Sequence, residues 1–359
     1  MIIGVPKEIK NNEKRVGLIP SSVLELTKSG HKVIVETNAG IGIDASDYDY
    51  RESGAEISTS KEIFAKSDLI IKVKEPQKNE WEQLSSNQIL FTYLHLAADI
   101  NQALGLIKSG CTAIAYETIT DEDGGLPLLT PMSEVAGRLS ILESSYHLKS
   151  PNGGKGLLVS GVPSTDPANI LILGGGVVGS NAARLALGLG ARVTIIDKSV
   201  SKLRYLSEIF GNSIVTKFST KKAIREHLVN SDVVVGAVLL PGDTAPKLIS
   251  KDDLKLIKKG SVLVDVAIDQ GGCFETSKPT THENPTYEID GIIHYCVSNM
   301  PGAVPKTSSE ALNNVTLPYV MRLANNGIPI LKKDKNFGNG LNVYNGKIIC
   351  KSVKNALNL

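Results

Sequence analysis

The sequence predicts an α/β protein built from two doubly wound domains, and three observations predict it. Short β-rich runs alternate with helical segments in two successive sets, the rhythm of parallel sheets covered by helices. The second set opens with a strand, a glycine turn and a helix in the stretch Asn169-Ile-Leu-Ile-Leu-Gly174-Gly-Gly176-Val-Val-Gly179. The chain's 359 residues, 42% of them hydrophobic, supply enough apolar side chain for two cores rather than one.

The first set of runs is Ile2 to Val5, Lys32 to Glu36, Leu69 to Val73, Ile89 to Leu94 and Thr112 to Tyr116. Thr130-Pro131 then supplies an N-cap and a proline at the first helical position, and Met132, Val135, Ala136, Leu139 and Leu142 recur at helical spacing, so a connecting helix is expected here. The second set begins at Asn169 and continues through Arg192 to Ile196, Asp232 to Ala237, Ser261 to Ala267 and His294 to Ser298. Thr307-Ser-Ser-Glu310 has capping-box spacing and predicts a second long helix, kinked at Pro318 and ending at Gly327, as the return connector. Asn345-Gly346 between Leu341 and Cys350 suits a type I′ turn, so the tail should form a hairpin folded back onto the first domain.

The glycine stretch reads as a dinucleotide-binding βαβ unit. Gly174 allows the tight turn out of the strand, Gly176 lets the backbone approach a pyrophosphate, and Gly179 lets the helix from about Val177 to Leu189 pack close to the sheet. The free N–H groups at the start of that helix then face the phosphates. Asp197 follows Gly179 by eighteen residues at the end of a second apolar run, where a carboxylate accepts from both ribose hydroxyls and repels a 2′-phosphate. NAD is favoured over NADP.

Composition narrows the alternatives. A formal net charge of +2, with no lysine-rich block interleaved with aromatics, argues against a nucleic-acid partner. No apolar run approaches the roughly 20 residues of a membrane span, and the amino terminus enters Ile2-Ile-Gly-Val5 without a signal-peptide pattern, so a cytoplasmic protein with no membrane partner is expected. Cys111, Cys273, Cys296 and Cys350 are widely spaced, which suggests reduced thiols and neither a zinc site nor a disulfide framework.

Ligands of open parallel sheets sit beyond the carboxyl ends of the strands, so the polar residues that follow each run are the site candidates. Lys74, His95 and Glu117 follow three first-domain runs, and Arg15 lies in the loop after the opening one. From the second domain come Asp269 and the pair Asn299-Met300, which would meet the first group across the cofactor. Each has a bland alternative. Lys72 and Lys74 alternate onto one side and would by themselves form a solvated patch, Arg15 lies in a polar loop, His95 could pack between Leu94 and Leu96, and Asp269 and Glu117 could only cap loops. For His31, His147, His227, His282 and His294 a structural role is expected.

Gly4-Val-Pro-Lys-Glu8, Arg15-Val16, Lys72-Val-Lys-Glu-Pro76, Gln88 to Ala97 around His95, Pro131-Met-Ser-Glu-Val-Ala-Gly-Arg138, Asp265-Val-Ala-Ile-Asp-Gln-Gly-Gly272 and Val297-Ser-Asn-Met-Pro301 run through nearly the whole chain in order. Together they resemble the NAD-dependent L-alanine dehydrogenases, in the family shared with the transhydrogenase alpha subunit. The resemblance implies that Arg15 and Lys74 hold the carboxylate of alanine or pyruvate, with His95 and Asp269 at the reacting centre. It implies cofactor contacts from Ser133, Gly174, Gly176, Val177, Val178, Gly179, Asp197, Lys202, Ser219, Val238, Leu239, Val266, Ala267, Ile268, Asp269, Lys278, Val297, Ser298, Asn299 and Met300. At Lys278 the family can carry arginine, whose bidentate contact a lysine lacks.

The expected fold is therefore α/β with a Rossmann NAD-binding domain, residues 129–306, and a flavodoxin-like substrate domain, residues 1–128 and 307–359, joined by long helices. The resemblance further implies L-alanine, pyruvate and ammonium as small-molecule partners and a homohexameric assembly. A rival reading, a transhydrogenase-like NAD-binding module without catalysis, would keep the glycine fingerprint and would not need the carboxylate clamp.

Overall fold

The computed structural model describes residues 1–238 and 245–357. The chain forms two compact units, Met1–Met132 with Val304–Leu359, and Ser133–Ala303. Its strands are β1 (Ile2–Val5), β2 (Lys32–Glu36), β3 (Glu56–Ser58), β4 (Leu69–Ile71), β5 (Ile89–Thr92), β6 (Thr112–Ala115), β7 (Asn169–Leu173), β8 (Arg192–Asp197), β9 (Ile214–Phe218), β10 (Val233–Gly236), β11 (Val262–Asp265), β12 (Thr286–Ile289), β13 (Ile292–Tyr295), β14 (Leu341–Tyr344) and β15 (Lys347–Ile348).

The first unit holds the sheet β15-β14-β6-β5-β4-β1-β2-β3. Strands β1 to β6 are all parallel, and both faces are covered. Leu69, Ile71, Ile89 and Phe91 enter the core on one face, while Ile70, Leu90, Ala113 and Ala115 enter a second core on the other. That is the period-two alternation of a doubly buried sheet. The doubly wound class holds, and the strand order refines the flavodoxin-like expectation. Read as 3-2-1-4-5-6 it is the dinucleotide-fold order, not the flavodoxin order 2-1-3-4-5. At the far edge β14 adds antiparallel to β6, and β15 returns through Asn345 and Gly346, whose φ of 49° and 69° make the expected left-handed turn.

The second unit repeats this order in the sheet β12-β13-β11-β10-β7-β8-β9, with β12 antiparallel at the edge. Leu171, Leu173, Val234 and Leu263 pack on one face with Leu254 and Phe274. Both sheets have a switch point where the winding reverses, between β1 and β4 in one and between β7 and β10 in the other.

Several local expectations change. The run His294 to Ser298 is displaced, because the strand is Ile292–Tyr295 and pairs with β12 through Asp290-Gly291, an Asp-Gly turn with φ of 53° and 82°. Strands β3, β9 and β12 were not foreseen; β9 is an edge strand that exposes Val215, Lys217 and Phe218 and so shows no buried alternation. The long return helix is Pro305–Asn326, with Pro305 in its first turn after the N-cap Val304, so Thr307 to Glu310 lies inside it and is not its capping box. Gly327 ends it at φ 62°, and Pro318 lies within it as expected. The connecting helix Thr130–His147 includes Thr130, whose hydroxyl donates to the Leu126 carbonyl at 3.0 Å instead of capping. Among the described residues no helix is long and apolar enough to cross a membrane.

Candidate active site

In the first unit the candidate residues gather beyond the carboxyl ends of β1, β4, β5 and β6, around the switch point. Arg15 and Lys74 come from the loops after β1 and β4, the two strands that flank it. Neither belongs to a solvated patch, since Arg15 is 3% exposed and Lys74 8%.

Burying the Arg15 cation requires a partner, and its own loop supplies one. Arg15 donates from Nε to Glu13 Oε1 at 2.7 Å and from Nη2 to Glu13 Oε2 at 2.5 Å, a bidentate pair out of solvent. Its Nη1 lies 3.1 Å from the sulfur of Met132, a weak acceptor. The Glu13 carboxylate holds the guanidinium charged against its burial, so its pKa is raised. The long helix Pro305–Asn326 braces the same loop. Val16 N donates to Ser309 Oγ at 3.2 Å and Ile19 N to Asn313 Oδ1 at 3.0 Å.

Lys72, expected beside Lys74 on a charged surface, is fully buried between Glu8 Oε2 at 3.1 Å and Glu80 Oε1 at 2.7 Å. The other oxygen of Glu8 accepts from Val73 N at 2.6 Å and Lys74 N at 3.3 Å. Burial pushes the Glu8 carboxyl up, and Lys72 opposes that rise. Lys10 pairs with Glu75, linking the same two loops again.

His95 follows β5 in the left-handed region, at φ 47° and ψ 35°. A non-glycine residue rarely sits there without something that holds it. Glu117, from the turn after β6, does so: Oε1 accepts from His95 N at 2.6 Å and Leu94 N at 3.1 Å, and Oε2 accepts from Leu94 N at 3.2 Å. The same carboxylate lies 4.0 Å from His95 Nδ1. The imidazole is 42% exposed and stacks on Tyr93 at 5.9 Å between ring centres, so it does not pack into the core between Leu94 and Leu96. Tyr93 is buried, with its hydroxyl donating to the Leu128 carbonyl at 2.6 Å; burial pushes that hydroxyl up and the Arg15 charge draws it part of the way back.

In the second unit the glycine turn follows β7. Gly174, at φ 102°, could not carry a Cβ without meeting the Ala237 carbonyl oxygen at 2.7 Å. At Gly179 a Cβ would lie 1.9 Å from the Gly174 oxygen, so the helix Val177–Gly188 touches the strand's exit there. A Cβ on Gly176 would meet nothing within 4 Å, and Gly176 is the N-cap of that helix with no side chain closing its N–H groups. Open space over uncapped donors fits a dinucleotide pyrophosphate. Asp197 accepts from Gly175 N and Ser199 N, each at 2.7 Å, and so fastens the glycine turn to the end of β8.

The other cofactor candidates in this unit lie at the same sheet end. Ser219 N donates to the Asp197 carbonyl at 2.9 Å, and Lys202 N, in the first turn of the next helix, donates to Ser199 Oγ at 3.3 Å. Ser133 precedes Gly137 by one turn of its helix and so lies on the same helix face, where a Cβ on Gly137 would meet the Val178 oxygen at 2.3 Å. Val238 follows β10; Leu239 lies outside the described residues. Val266 to Asp269 form the turn after β11, and Asp269 is exposed on it. Lys278 N donates to Tyr287 Oη at 2.7 Å, and Val297 to Met300 follow β13, with Asn299 at φ 72°.

Residues of a second kind carry these loops, and among them the role of Asp265 was not foreseen. Asp265, fully buried, accepts from Ala267 N at 3.1 Å, Cys273 N at 2.7 Å, Phe274 N at 3.3 Å and the Ser277 hydroxyl, closing the turn that presents Asp269. Burial raises its carboxyl, and those donors oppose the rise. His282 Nε2 lies 3.1 Å from the Asn299 carbonyl oxygen. His294 is buried against Thr276 Oγ1 at 2.8 Å, the structural role expected of it.

Comparison with known proteins decides the family. Residues 4–136 match the family described as Alanine dehydrogenase/PNT, N-terminal domain, and residues 140–351 match its C-terminal domain. The chain belongs to the alanine dehydrogenase/PNT family. It is 54% identical over 361 residues to the alanine dehydrogenase of Halomonas elongata, covering 100% of this chain and 97% of that one. The alanine dehydrogenase of Methanococcus maripaludis is 50% identical over 368 residues with the same coverage. A solved L-alanine dehydrogenase, 48% identical, covers 100% of this chain at a TM-score of 0.96, and 99% of its own length is matched. The motifs of this alanine dehydrogenase/PNT chain thus coincide with the loops just described.

Proposed function

We propose that the protein catalyses the reversible oxidative deamination of L-alanine: L-alanine, oxidised NAD and water give pyruvate, ammonium, NADH and a proton. Full-length similarity to alanine dehydrogenases of about half identical sequence carries this reading. NAD, when bound, supplies the hydride acceptor at nicotinamide C4. Gly174, Gly176 and Gly179 would hold it through the backbone turn, and Asp197 would hold its ribose hydroxyls.

Arg15 and Lys74 hold the substrate carboxylate and so orient Cα. Glu13 holds Nε and Nη2 of Arg15, which keeps the guanidinium charged and fixed in orientation where it meets the substrate carboxylate. Lys74 adds a second charge. His95 takes a proton from the substrate amine in the oxidative direction and returns one in the reductive direction, and it activates the water that adds to the iminium. Asp269 orders that water and the nicotinamide ribose. L-alanine, pyruvate and ammonium are the partners, and a cytoplasmic homohexamer belongs to the same reading.

The test is the absorbance of reduced nicotinamide when protein, NADH, pyruvate and ammonium are mixed. Loss of signal that needs all three small molecules is the expected result. Loss without ammonium, or no loss, would overturn the assignment, and a panel of short 2-oxo acids that includes glyoxylate defines the substrate range. Light scattering on the eluted protein tests the assembly.

A further inference from the structure

Given the substrate-binding role proposed for Lys74, we propose that Glu8 is its positioning residue: from the loop after β1, its carboxylate holds the backbone of Val73 and Lys74 and aims Lys74 at the substrate. Lys74 lies three residues beyond the end of β4, where the regular ladder has stopped. Four hydrogen bonds hold the segment in place of a ladder. Thr92 Oγ1 donates to the Lys74 carbonyl at 3.0 Å and Tyr93 N donates to the Val73 carbonyl at 3.3 Å. Both N–H groups of the segment go to one oxygen of Glu8, at 2.6 and 3.3 Å.

A carboxylate suits this place because its two oxygens face different partners. While Oε1 takes the backbone, Oε2 takes the Lys72 ammonium at 3.1 Å, and Glu80 takes the same ammonium at 2.7 Å. Glu8, Lys72 and Glu80 are all buried. A buried ionic triad is a poor source of stability, because its desolvation cost offsets most of the attraction. Its distinctive contribution is geometric. It ties the loop that carries Arg15 to the loop that carries Lys74 across the switch point, so the two cations keep a fixed separation.

Glutamine cannot reproduce this, since one end of its amide is a donor and would face either Lys72 Nζ or Val73 N. The Lys72–Glu80 pair remains neutral in Glu8→Gln, and Glu8→Asp keeps the charge on Lys72 while drawing the carboxylate back by one methylene.

The experiment uses the full-length enzyme. Initial rates of NADH oxidation are measured against pyruvate at saturating ammonium, and NADH affinity is measured separately by fluorescence titration, for Glu8→Gln, Glu8→Asp and Lys74→Ala. Both Glu8 variants should raise the pyruvate KM by about tenfold, the scale of one weakened charge-assisted contact, with kcat within about threefold and NADH affinity unchanged. If Glu8→Gln does not accumulate folded protein, Glu8→Asp decides. Parental pyruvate KM in the Glu8 variants, alongside a raised KM in Lys74→Ala, would overturn the positioning role alone. Parental KM in Lys74→Ala would overturn the substrate role of Lys74 itself, and the positioning role with it. Equal loss of NADH and pyruvate affinity in the Glu8 variants would mark Glu8 as merely structural.

Discussion

The left-handed backbone at His95 offers the sharpest test of how this site is assembled. A non-glycine residue in that conformation costs about 1–2 kcal/mol relative to ordinary backbone. Glu117 offsets the cost by accepting from two N–H donors, at 2.6 Å from His95 and at 3.1 and 3.2 Å from Leu94. Hydrogen bonds to a charged acceptor contribute about 1.5–3 kcal/mol each, so the carboxylate outweighs the strain. In Glu117→Ala the strain stands alone. The left-handed conformer should fall to roughly 3–15% of the folded population, and turnover by about 7- to 30-fold, if only that conformer presents the imidazole to the reacting amine. Glu117→Gln keeps an acceptor oxygen and should lose less. The assay is kcat at saturating pyruvate, ammonium and NADH, corrected for the folded fraction, with NADH binding titrated on the same preparation. Turnover within twofold of the parent in Glu117→Ala would refute the reasoning. So would a loss that disappears once unfolded protein is discounted.

His95→Ala should lower turnover by roughly 10² to 10⁴ in both directions with NADH binding retained, and near-parental turnover would remove the imidazole from the proton path. Arg15→Ala removes the bidentate partner of the buried Glu13 carboxylate and should cost about 3–5 kcal/mol in urea denaturation, much of it regained in the double variant with Glu13→Ala; an Arg15→Ala protein as stable as the parent would contradict the pairing. Asp197→Ala should weaken NAD and narrow the gap to NADP, at some loss of stability from the freed Gly175 and Ser199 N–H groups, and comparable use of both cofactors by the parent would sink the ribose role. Burial holds the imidazoles of His147 and His294 below the ordinary 6.5, so the folded chain binds fewer protons than the unfolded one. Their contribution to stability is present above pH 6.5 and is lost as pH falls through the folded values. The urea midpoint of the parent should therefore fall more between pH 7.5 and 5 than that of His294→Asn, and parallel profiles would refute it.

The sequence by itself determined the α/β class, the succession of most strands along the chain, the glycine turn and the strand-end candidates. Those features rest on short-range rules: alternation along a buried strand, the small side chain a tight turn needs, and the placement of polar residues where an apolar run stops. Gly174, Gly176 and Gly179 were legible because each answers a local backbone demand, and the Asn345-Gly346 turn for the same reason. The Asp290-Gly291 turn carried the same signal, yet its strand was placed two residues late. Only the tertiary structure decided that Lys72 is a buried member of an ionic triad, apart from its neighbour Lys74. Alternation assigned both to one side, and their difference comes from Glu8 and Glu80, partners 64 and 8 residues away in sequence. The same holds for Glu117 beneath His95, 22 residues distant, and for Asp265 closing the turn of Asp269. A buried carboxylate is chosen by the N–H groups and ammonium ions that the fold brings to it, and spacing along the chain does not record which groups those are.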